Sequence, residues 1–445
     1  MISEIDNASS DRPTDAAPRR VSSVQAPGVY AEESNDPLLS IPAGATAIPV
    51  FIGSFRNLDG TPASTNACIA IDSYFDFQRR FAESATITVA AGAATVTVTQ
   101  ELGSRSLRLY FDNGGGRCFI LPVATPPVTA NLAAILAHQP QISLYCTTEF
   151  TEGLDPIYNA LNTLLNKTGD GFLIADSPDG VLRPTTPAQR TATYYPALLT
   201  NYSSRLDDRS IVVTGLTIPG LETERLTLDL VKRYQPADYK RLSKAVDEKL
   251  KTDYPQVTLK ASPAIAGVYC RIDSQQGVWK APAGVSLNAV SDLAERVSPS
   301  VQMKLMANRI NALKPFPGEG VKVWGTRTCV DPATPLWLHI PVSRLFDAAA
   351  RDMQRALQFA VFLPNNEMTW NAVRGAISGY LYNLWRNGGL IGRNAEEAYY
   401  VQVGAGLSMT EEQVLGGELV VRVGMAAVRP AEFIEVLFSQ QLAGV

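Results

Sequence analysis

The chain has 445 residues, of which 46% are hydrophobic and 18% are charged, so it is long enough for two or three folded units and too apolar for a disordered protein. Its 39 basic and 43 acidic residues give a net charge of −4, which argues against a general attraction to nucleic acid or anionic membranes. The five cysteines show no CxxC spacing, so reduced and mostly buried thiols are expected rather than zinc ligands or a disulfide framework.

The N-terminal region divides into a tail and two predicted strands. Residues 1–27 are rich in Ser, Pro, Asp and Arg, and we predict a flexible tail there. Val29 and Tyr30 in PGVYAEES predict a short exposed strand, and AIPVFIGSF (47–55) predicts a buried one. Neither a signal-peptide core nor an apolar run near the roughly 20 residues of a membrane span is visible, so we expect synthesis as a soluble cytoplasmic protein.

Strands and helices alternate through residues 66–178, which predicts an open α/β sheet. The predicted strands are ACIAI, RCFILPV, QISLYCTT and GFLIADSP, the predicted helices are SYFDFQRRFA, SLRLYFDN and PIYNALNTLLNK, and TITVAAGAATVTV predicts a hairpin. A further strand is predicted at RSIVVTG (209–215). The charged stretch 230–255 has the Lys and Glu spacing of a solvated helix, so we predict an outward-facing helix there.

Two amphipathic helices are predicted in the last third of the chain. The first begins at Pro341, and its predicted apolar face is Phe346, Ala349, Met353, Leu357 and Val361. After a break at LPNN (363–366), where an Asn caps the second helix, the apolar positions are Trp370, Val373, Ile377, Leu381 and Leu384, with Gly388 as the stop. Strands are predicted at 398–404, 418–428 and 432–440. The whole pattern predicts a mixed α/β (α+β) fold of two to three domains.

Motifs that carry chemistry are weak in this sequence. The glycines 114–116 follow a predicted helix and precede a strand, which is the reverse of a phosphate-binding loop, so Gly114 is predicted to end the helix. His138 and His339 belong to no metal or triad motif. Adjacent acidic pairs such as Glu411 and Glu412 are typical of solvated surface, and no substrate-binding signature supports a glycosidase pair of distant carboxylates. We therefore predict no catalytic residue, no cofactor and no metal site.

Eight collinear segments carry a family resemblance. They are PGVYAEE (27–33), YFDNGGGRCFILPV (110–123), YYPALL (194–199), SPAIAGVYCRIDSQQGVWKAPAG (262–284), VKVWGTRT (321–328), PLWLHIPVSRL (335–345), LPNNEMTWNAVRGAISGYLYNLWRNGGLIG (363–392) and GGELVVRVGMAAVRPAEFIEVLFSQ (416–440). In these segments the chain resembles contractile tail sheath proteins, which occur in myophage tails, R-type bacteriocins and extracellular contractile injection systems. The match is dense from 262 to 440 and patchy from 124 to 261.

The resemblance implies a structural sheath subunit and not an enzyme. Such a subunit polymerises as helically stacked hexameric rings around an inner tube and contracts to drive the tube through a target envelope. The implied partners are other copies of this chain, the inner tube protein, and baseplate and cap proteins, with no nucleic acid and no direct membrane insertion. The implied location is an assembled phage tail-like particle released outside the cell. The undivided chain is more similar to phage and extracellular systems than to type VI secretion, whose sheath consists of two proteins.

The resemblance also implies a domain division. Residues 28–60 are expected to form an N-terminal arm and strands that join the inner domain, and residues 61–260 to form the outer α/β domain or domains. Residues 261–430 are expected to form the inner sheath domain, followed by a C-terminal strand-exchange arm at 431–445.

The two ends of the chain are the predicted assembly site. The final predicted strand is apolar on both faces, so an edge position would leave it without cover. The family's arrangement implies that terminal arms add strands to sheets in neighbouring subunits through backbone hydrogen bonds. The residues predicted to take part are Val29, Tyr30, Ala31, Glu32, Phe433, Ile434, Glu435, Val436, Leu437 and Phe438. The alternative is that these strands pair within their own subunit.

Three arginines form a second predicted feature. Arg344, Arg351 and Arg355 fall within about one quadrant of the first C-terminal helix, where Asp347 and Asp352 partly neutralise them. They form either an ordinary solvated face or a strip that faces an acidic partner such as the inner tube.

Other functions stay open at this stage. The chain could be a specialised sheath copy at the baseplate or cap. It could instead be an α/β enzyme with its site at the carboxyl ends of the sheet strands, or its middle region could bind another surface.

Overall fold

The computed structural model describes residues 41–63, 67–83, 85–123, 131–221, 225–333 and 335–432. These residues all belong to one compact unit, Leu39–Val445. The predicted tail, the predicted strand at Val29 and Tyr30, and the predicted final strand after Glu432 lie outside the described residues.

The described residues contain the following helices and strands. The strands are β1 Pro49–Gly53, β2 Arg56–Asn57, β3 Ile69–Ile71, β4 Phe81–Ala82, β5 Ala85–Ala90, β6 Thr95–Gln100, β7 Cys118–Pro122, β8 Leu144–Thr147, β9 Phe172–Asp176, β10 Thr191–Tyr195, β11 Leu198–Thr200, β12 Ile211–Thr214, β13 Val257–Leu259, β14 Val290–Leu293, β15 Ile310–Phe316, β16 Gly320–Trp324, β17 Tyr399–Val403 and β18 Val421–Met425. The helices are α1 Tyr74–Arg80, α2 Gly103–Asp112, α3 Leu132–Ala137, α4 Ile157–Thr168, α5 Leu228–Tyr234, α6 Pro236–Asp253, α7 Ser262–Gln276, α8 Pro299–Ala307, α9 Ile340–Leu357, α10 Glu367–Arg386, α11 Ala395–Ala398 and α12 Glu411–Leu415.

An eight-stranded sheet forms the centre of the fold, in the order β16-β15-β10-β9-β8-β1-β7-β3. Its six inner strands are parallel, and β16 and β3 add antiparallel edges. The inner strands β1, β7, β8 and β9 are mostly apolar and buried, as expected where both faces of a sheet are covered. Phe51 on β1 packs into a core with α2 and α7, whereas Val50 and Ile52 pack into a second core with α3 and α4. The predicted α/β class is confirmed.

The central sheet also contains strands from outside residues 66–178, the region whose alternating pattern predicted an open α/β sheet. Strand β1 lies between β7 and β8, with Val50 opposite both Phe119 and Tyr145. At the other side, β15 pairs with β10. The predicted domain boundaries at residues 60 and 260 therefore run through this sheet, while the outward or inward orientation of each region stays a prediction.

A smaller sheet, β12-β5-β6, carries the helices α5 and α6. The prediction of one solvated helix at 230–255 is wrong in two respects. Pro236 begins a second helix, and Leu242, Val246 and Leu250 on α6 are fully or almost fully buried against the sheet. The Lys and Glu residues that suggested solvation lie on the opposite face, where Lys244 pairs with Glu248. The spacing of four between Leu242, Val246 and Leu250 is the sequence pattern that indicates this buried face.

The C-terminal helices α9 and α10 begin and end close to the predicted residues. Asn366 caps α10, with its side chain accepting the Thr369 N–H at 3.2 Å, and Gly388 takes a positive φ of 84° just beyond the helix. Val373, Ile377, Leu381 and Leu384 are buried, as predicted. The predicted face of α9 is partly right: Ala349 is buried, and Met353 and Leu357 pack against the apolar cluster around α10. Leu345 and Ala348 are also buried, whereas Val361 lies beyond the helix end and is exposed.

A two-stranded antiparallel sheet of β17 and β18 packs on α10. Val401 lies opposite Val423 in its register. These strands are two of the three predicted at the C-terminal end, and of the third only Glu432 is described. Among the described helices, none combines the length and hydrophobicity that a membrane span requires.

Candidate assembly site

The sheet β17-β18 has unpaired edges in the part of the chain that the structure describes. No other described strand pairs with β17 or β18, although residues 389–391 pair with 426–428 just beyond the end of β18. Two-stranded sheets are only marginally stable alone, and their free backbone N–H and C=O groups can pair with an added strand. Here the sheet is supported from one side by α10, through Val373, Ile377 and Val403 in one apolar cluster. The arrangement therefore presents a supported sheet that can accept further strands.

Ile41 and Ala427, near the two ends of the described chain, lie in or against the apolar cluster that supports this sheet. Ile41, just after the undescribed N-terminal residues, is buried in that cluster, and Ala427 packs against it. The backbone N–H of Gly44 donates to Asp352 on α9 at 3.0 Å. The chain therefore passes this sheet near both of its described ends, and the ten residues predicted for strand exchange are outside the described residues.

Glu432 anchors the chain where the predicted C-terminal arm begins. Arg327 donates to one Glu432 carboxylate oxygen from Nε at 2.8 Å and from Nη2 at 2.5 Å, and His339 Nδ1 lies 3.5 Å from the other oxygen. Burial raises the pKa of Glu432, but the nearby His339 and the hydrogen bonds from Arg327 outweigh burial and bring the pKa to about 2. Glu432 is therefore ionised at neutral pH, and the arm starts from a point fixed to the central body.

The three predicted arginines do not form a surface stripe. Arg344 is buried, where its guanidinium donates to both carboxylate oxygens of Asp273 at 3.0 and 2.6 Å and stacks 4.5 Å from the Tyr269 ring. Arg351 pairs with Asp170 at 3.0 Å. Only Arg355, whose side chain is 54% exposed, has the accessibility expected of a surface contact. Contact of these arginines with a tube stays a prediction. Arg344 is too deeply buried in this structure to make such a contact.

The predicted neutralising carboxylates also have other partners. Asp347 binds Arg190 through two hydrogen bonds at 2.8 and 3.0 Å. Asp352 accepts from Tyr380 Oη at 3.1 Å and lies 3.9 Å from Arg355. The ion pairs of α9 with Asp170, Arg190 and Asp273 hold this helix against the central body. Sequence reasoning missed them because their partners lie 71 to 181 positions away along the chain.

The crevice where an open α/β sheet usually binds a ligand is filled. The order of the sheet reverses between β1 and β8, so the carboxyl ends of these strands mark the usual binding position. Thr148 fills it so closely that a Cβ on Gly53 would lie 1.7 Å from the Thr148 hydroxyl oxygen. Glu149 accepts the Leu102 and Ser54 amides at 3.0 and 3.3 Å, next to the start of α2. These residues occupy the crevice with structural hydrogen bonds.

A small cavity of about 190 Å³ lies at the ends of β9 and β10. Lys260 there donates to Asp155 at 2.9 Å and to Thr147 at 2.8 Å, and Asp176 accepts the first amides of α7. Burial raises the pKa of Asp176, while the Lys260 charge opposes that rise. Ligand pockets usually have volumes of about 300–1,000 Å³, so this cavity suits internal charge pairing better than a substrate.

The three glycines at 114–116 use their amides within the loop. Gly114 takes a φ of 97° directly after α2, which confirms it as the helix stop. The Gly114 amide donates to Phe111, and Tyr110 accepts from Gly115 through its carbonyl and from Gly116 through its hydroxyl, all at 3.0 Å. A phosphate would find none of these N–H groups available. Within the described ranges no cluster of His, Cys, Asp and Glu could hold a metal ion, and all five cysteines are free.

Comparisons with known proteins agree with the motifs. A family model of the phage tail sheath C-terminal domain matches residues 333–441. The chain is 35% identical to a chain in a structure of the anti-feeding prophage (AFP) baseplate, with a TM-score of 0.69 and coverage of 95% of this chain and 100% of that chain. It is 34% identical to a chain of the contracted AFP helical sheath, with the same coverage and TM-score.

A third similar structure is the contracted sheath complex of PVC, an extracellular contractile injection system. That chain is 30% identical, the TM-score is 0.66, and the alignment covers 95% of this chain and 99% of that chain. A comparison with curated protein sequences found no significant match.

Proposed function

The chain belongs to the family of contractile tail sheath proteins, as its motifs predict, and on that premise we propose that it is the sheath subunit of an extracellular contractile injection particle. In this proposal the subunits stack as hexameric rings in a helical lattice around an inner tube. The lattice contracts and drives the tube through a target envelope. The further partners are the tube, baseplate and cap proteins.

The observation that supports the proposal is that the chain passes the sheet β17-β18 close to both ends of its described part. Ile41 and Ala427 lie in or against one cluster with Val403 of β17, and the anchored Glu432 follows shortly after Ala427, so arms that continue from these ends can reach a sheet of this kind in an adjacent copy. We propose that the arms around Tyr30 and residues 433–438 pair with neighbouring subunits. Since such a contact joins two different surfaces, it does not close on itself and propagates as a helix.

Contraction in this proposal needs no catalytic residue. The lattice would assemble extended in a metastable state, and subunits would rotate outward while the exchanged arms stay paired. The energy would come from two alternative packings of the same surfaces, so no nucleotide hydrolysis is needed. The crevice filled by Thr148 and Glu149 supports a structural role over the alternative of an α/β enzyme.

Truncation tests strand exchange. Full-length protein is expected to form long hollow tubes in electron micrographs, and deletion of residues 1–33 or 430–445 is expected to abolish them, because each deletion removes an arm. Deletion of residues 1–20 removes only predicted tail and serves as the matched control, so it should leave assembly intact. Normal tubes from either longer deletion would exclude strand exchange, and a small oligomer from the full chain that binds nucleotide or sugar would exclude the sheath function.

A specialised copy at the baseplate is the second candidate. The nearly equal identity to a chain in the AFP baseplate structure, 35%, and to the helical sheath, 34%, favours keeping it. Gold-labelled antibody on intact particles distinguishes the two. Label along the whole particle supports the main sheath subunit, and label at one end supports the specialised copy.

A further inference from the structure

The loop between α9 and α10 presents a cluster of exposed apolar side chains. Phe362 is 100% exposed, and its flanking residues Val361 and Leu363 are also exposed. Met368 at the start of α10 and Leu415 at the end of α12 are exposed as well. We call these five side chains the tip. Its apolar surface has no cover among the described residues and is costly to leave in water.

Backbone strain accompanies this exposure. Phe362 has a φ of 73°, in the left-handed region that bulky side chains rarely adopt. Strained residues of this kind persist where the surrounding structure holds them, and they cluster at functional positions. With this backbone conformation the Phe362 ring is fully exposed and packs on neither α9 nor α10.

Hydrogen bonds hold the loop in this conformation. Asn365 donates to the Glu418 and Val414 carbonyls at 2.9 and 3.3 Å and accepts from Trp370 Nε1 at 2.7 Å. Thr369 donates to the Pro364 carbonyl at 2.7 Å. The tip is therefore organised before any partner binds, which reduces the ordering cost of an interface.

A large cavity elsewhere on the chain has the size and the apolar walls that the side chains of the tip would need. It has a volume of about 570 Å³ and lies between β15, β16, α8 and the segment before Glu432. Trp279, Met306, Trp324 and Pro430 are among its walls, and Met306 and Trp324 are partly exposed to solvent. Tryptophan and methionine are favoured in protein interfaces, and this volume accommodates an aromatic side chain with its neighbours.

The charges around the two surfaces are complementary. The exposed carboxylates beside the tip are Glu367, Glu411, Glu412 and Glu418. The cavity has the exposed cations Lys280 and Arg429 at its rim, and its other charged lining residues include the ion-paired Arg327 and Glu432. The acidic collar around the apolar tip is therefore complementary to the basic rim around the apolar cavity, and such complementarity favours docking in one orientation.

We propose that the tip of one subunit inserts into the cavity of a neighbouring copy of this chain, with Phe362 as the central anchor. The inference rests on the proposed sheath function, which requires many contacts between copies. It adds a side-chain interface to the strand exchange of the terminal arms. Because knob and socket are different surfaces, each subunit uses both, and the contact propagates along the assembly.

A substitution that relieves the strain while removing the anchor tests the proposal. Asparagine tolerates a left-handed backbone, so Phe362→Asn should leave the melting temperature of the isolated full-length subunit unchanged or higher. The concentration needed for polymerisation, measured by sedimentation, should rise at least about tenfold because a buried aromatic anchor is lost. Phe75→Asn, which removes an aromatic ring that is 69% exposed on α1, is the matched control and should polymerise like the wild type.

Photo-crosslinking locates the contact. With benzoylphenylalanine at position 362, assembled full-length protein should yield a two-subunit product in which position 362 is joined to peptides from 279–284, 302–312 or 323–327. Crosslinks only to other surfaces or to the tube would overturn the proposal, as would unchanged polymerisation of Phe362→Asn. Wild-type protein that forms no polymer would instead overturn the proposed sheath function, and this inference with it.

Discussion

At the scale of single residues, buried charge pairs decide how α9 is held. Arg344 and Asp273 are both shielded from water, and their bidentate contact joins α9 to α7. A buried pair gains little over an apolar pair of the same size, but loss of one partner leaves the other charge without compensation. The Tyr269 ring adds a cation–π contact to the guanidinium. This arginine therefore serves the interior of the subunit.

Replacement of Arg344 by Met should lower the free energy of unfolding by about 3–5 kcal/mol, because Asp273 would be left buried without its partner. Urea denaturation of the isolated full-length subunit measures the change. The control is Arg355→Met on the same helix, where the arginine is half exposed and a change within about 0.5 kcal/mol is expected. Equal effects of the two substitutions would contradict the assignment of Arg344 to the interior.

At the scale of elements, the local sequence pattern predicts the buried residues correctly where most apolar residues of a helix lie on one face. The apolar spacing on α10 predicted its buried residues, and the cap at Asn366 and the stop at Gly388 set its ends. The charged face of α6 was misleading because a solvated side and a buried side occur on the same helix. Charge on a helix thus reports one face and does not exclude burial of the other.

The buried face of α6 makes a direct prediction. Leu242→Ala should destabilise the subunit by about 2–5 kcal/mol, because Leu242 is fully buried against the sheet β12-β5-β6 and the smaller side chain leaves a cavity. Thermal denaturation followed by circular dichroism reports the loss. Lys244→Ala, two residues along on the exposed side, should change stability by less than about 0.5 kcal/mol. A solvated α6 would instead give two small effects.

At the scale of the whole molecule, β1 is the strand on which the central sheet depends. It lies between β7 and β8 and contributes to the cores on both faces of the sheet. Its absence would leave two parallel strands without a partner between them. The N-terminal segment is therefore part of the main fold from residue 49 onward and cannot serve only as an arm.

Two fragments test this dependence. A fragment of residues 41–445 should fold and show one cooperative unfolding transition, because it keeps β1 and the buried Ile41. A fragment of residues 61–445 should aggregate or show no cooperative transition, because it loses the fully buried Val50, Phe51 and Ile52. Size-exclusion chromatography and circular dichroism distinguish these outcomes. A well-folded 61–445 fragment would mean that the sheet closes without β1.

Local order along the chain and family membership were readable from the residues alone. Helix caps, apolar spacing and the order of strand and helix around Gly114 are short-range properties, and they appear in the structure close to where the patterns place them. The collinear motifs predicted the sheath family, which the comparisons confirm. Helix caps, helix stops and motif segments could be predicted from the sequence because each depends on only a few neighbouring residues.

Partners that are distant along the chain were decided only by the tertiary structure. The pairing of Arg344 with Asp273, the insertion of β1 between β7 and β8, and the anchoring of Glu432 by Arg327 join residues with no local relation. Ile41 and Ala427, close to the two ends of the described chain, pack at one core beside β17-β18. A side chain's accessibility depends on what folds over it, so the same helix pattern that placed Arg344 and Arg355 on one stripe could not show that one is buried and the other exposed.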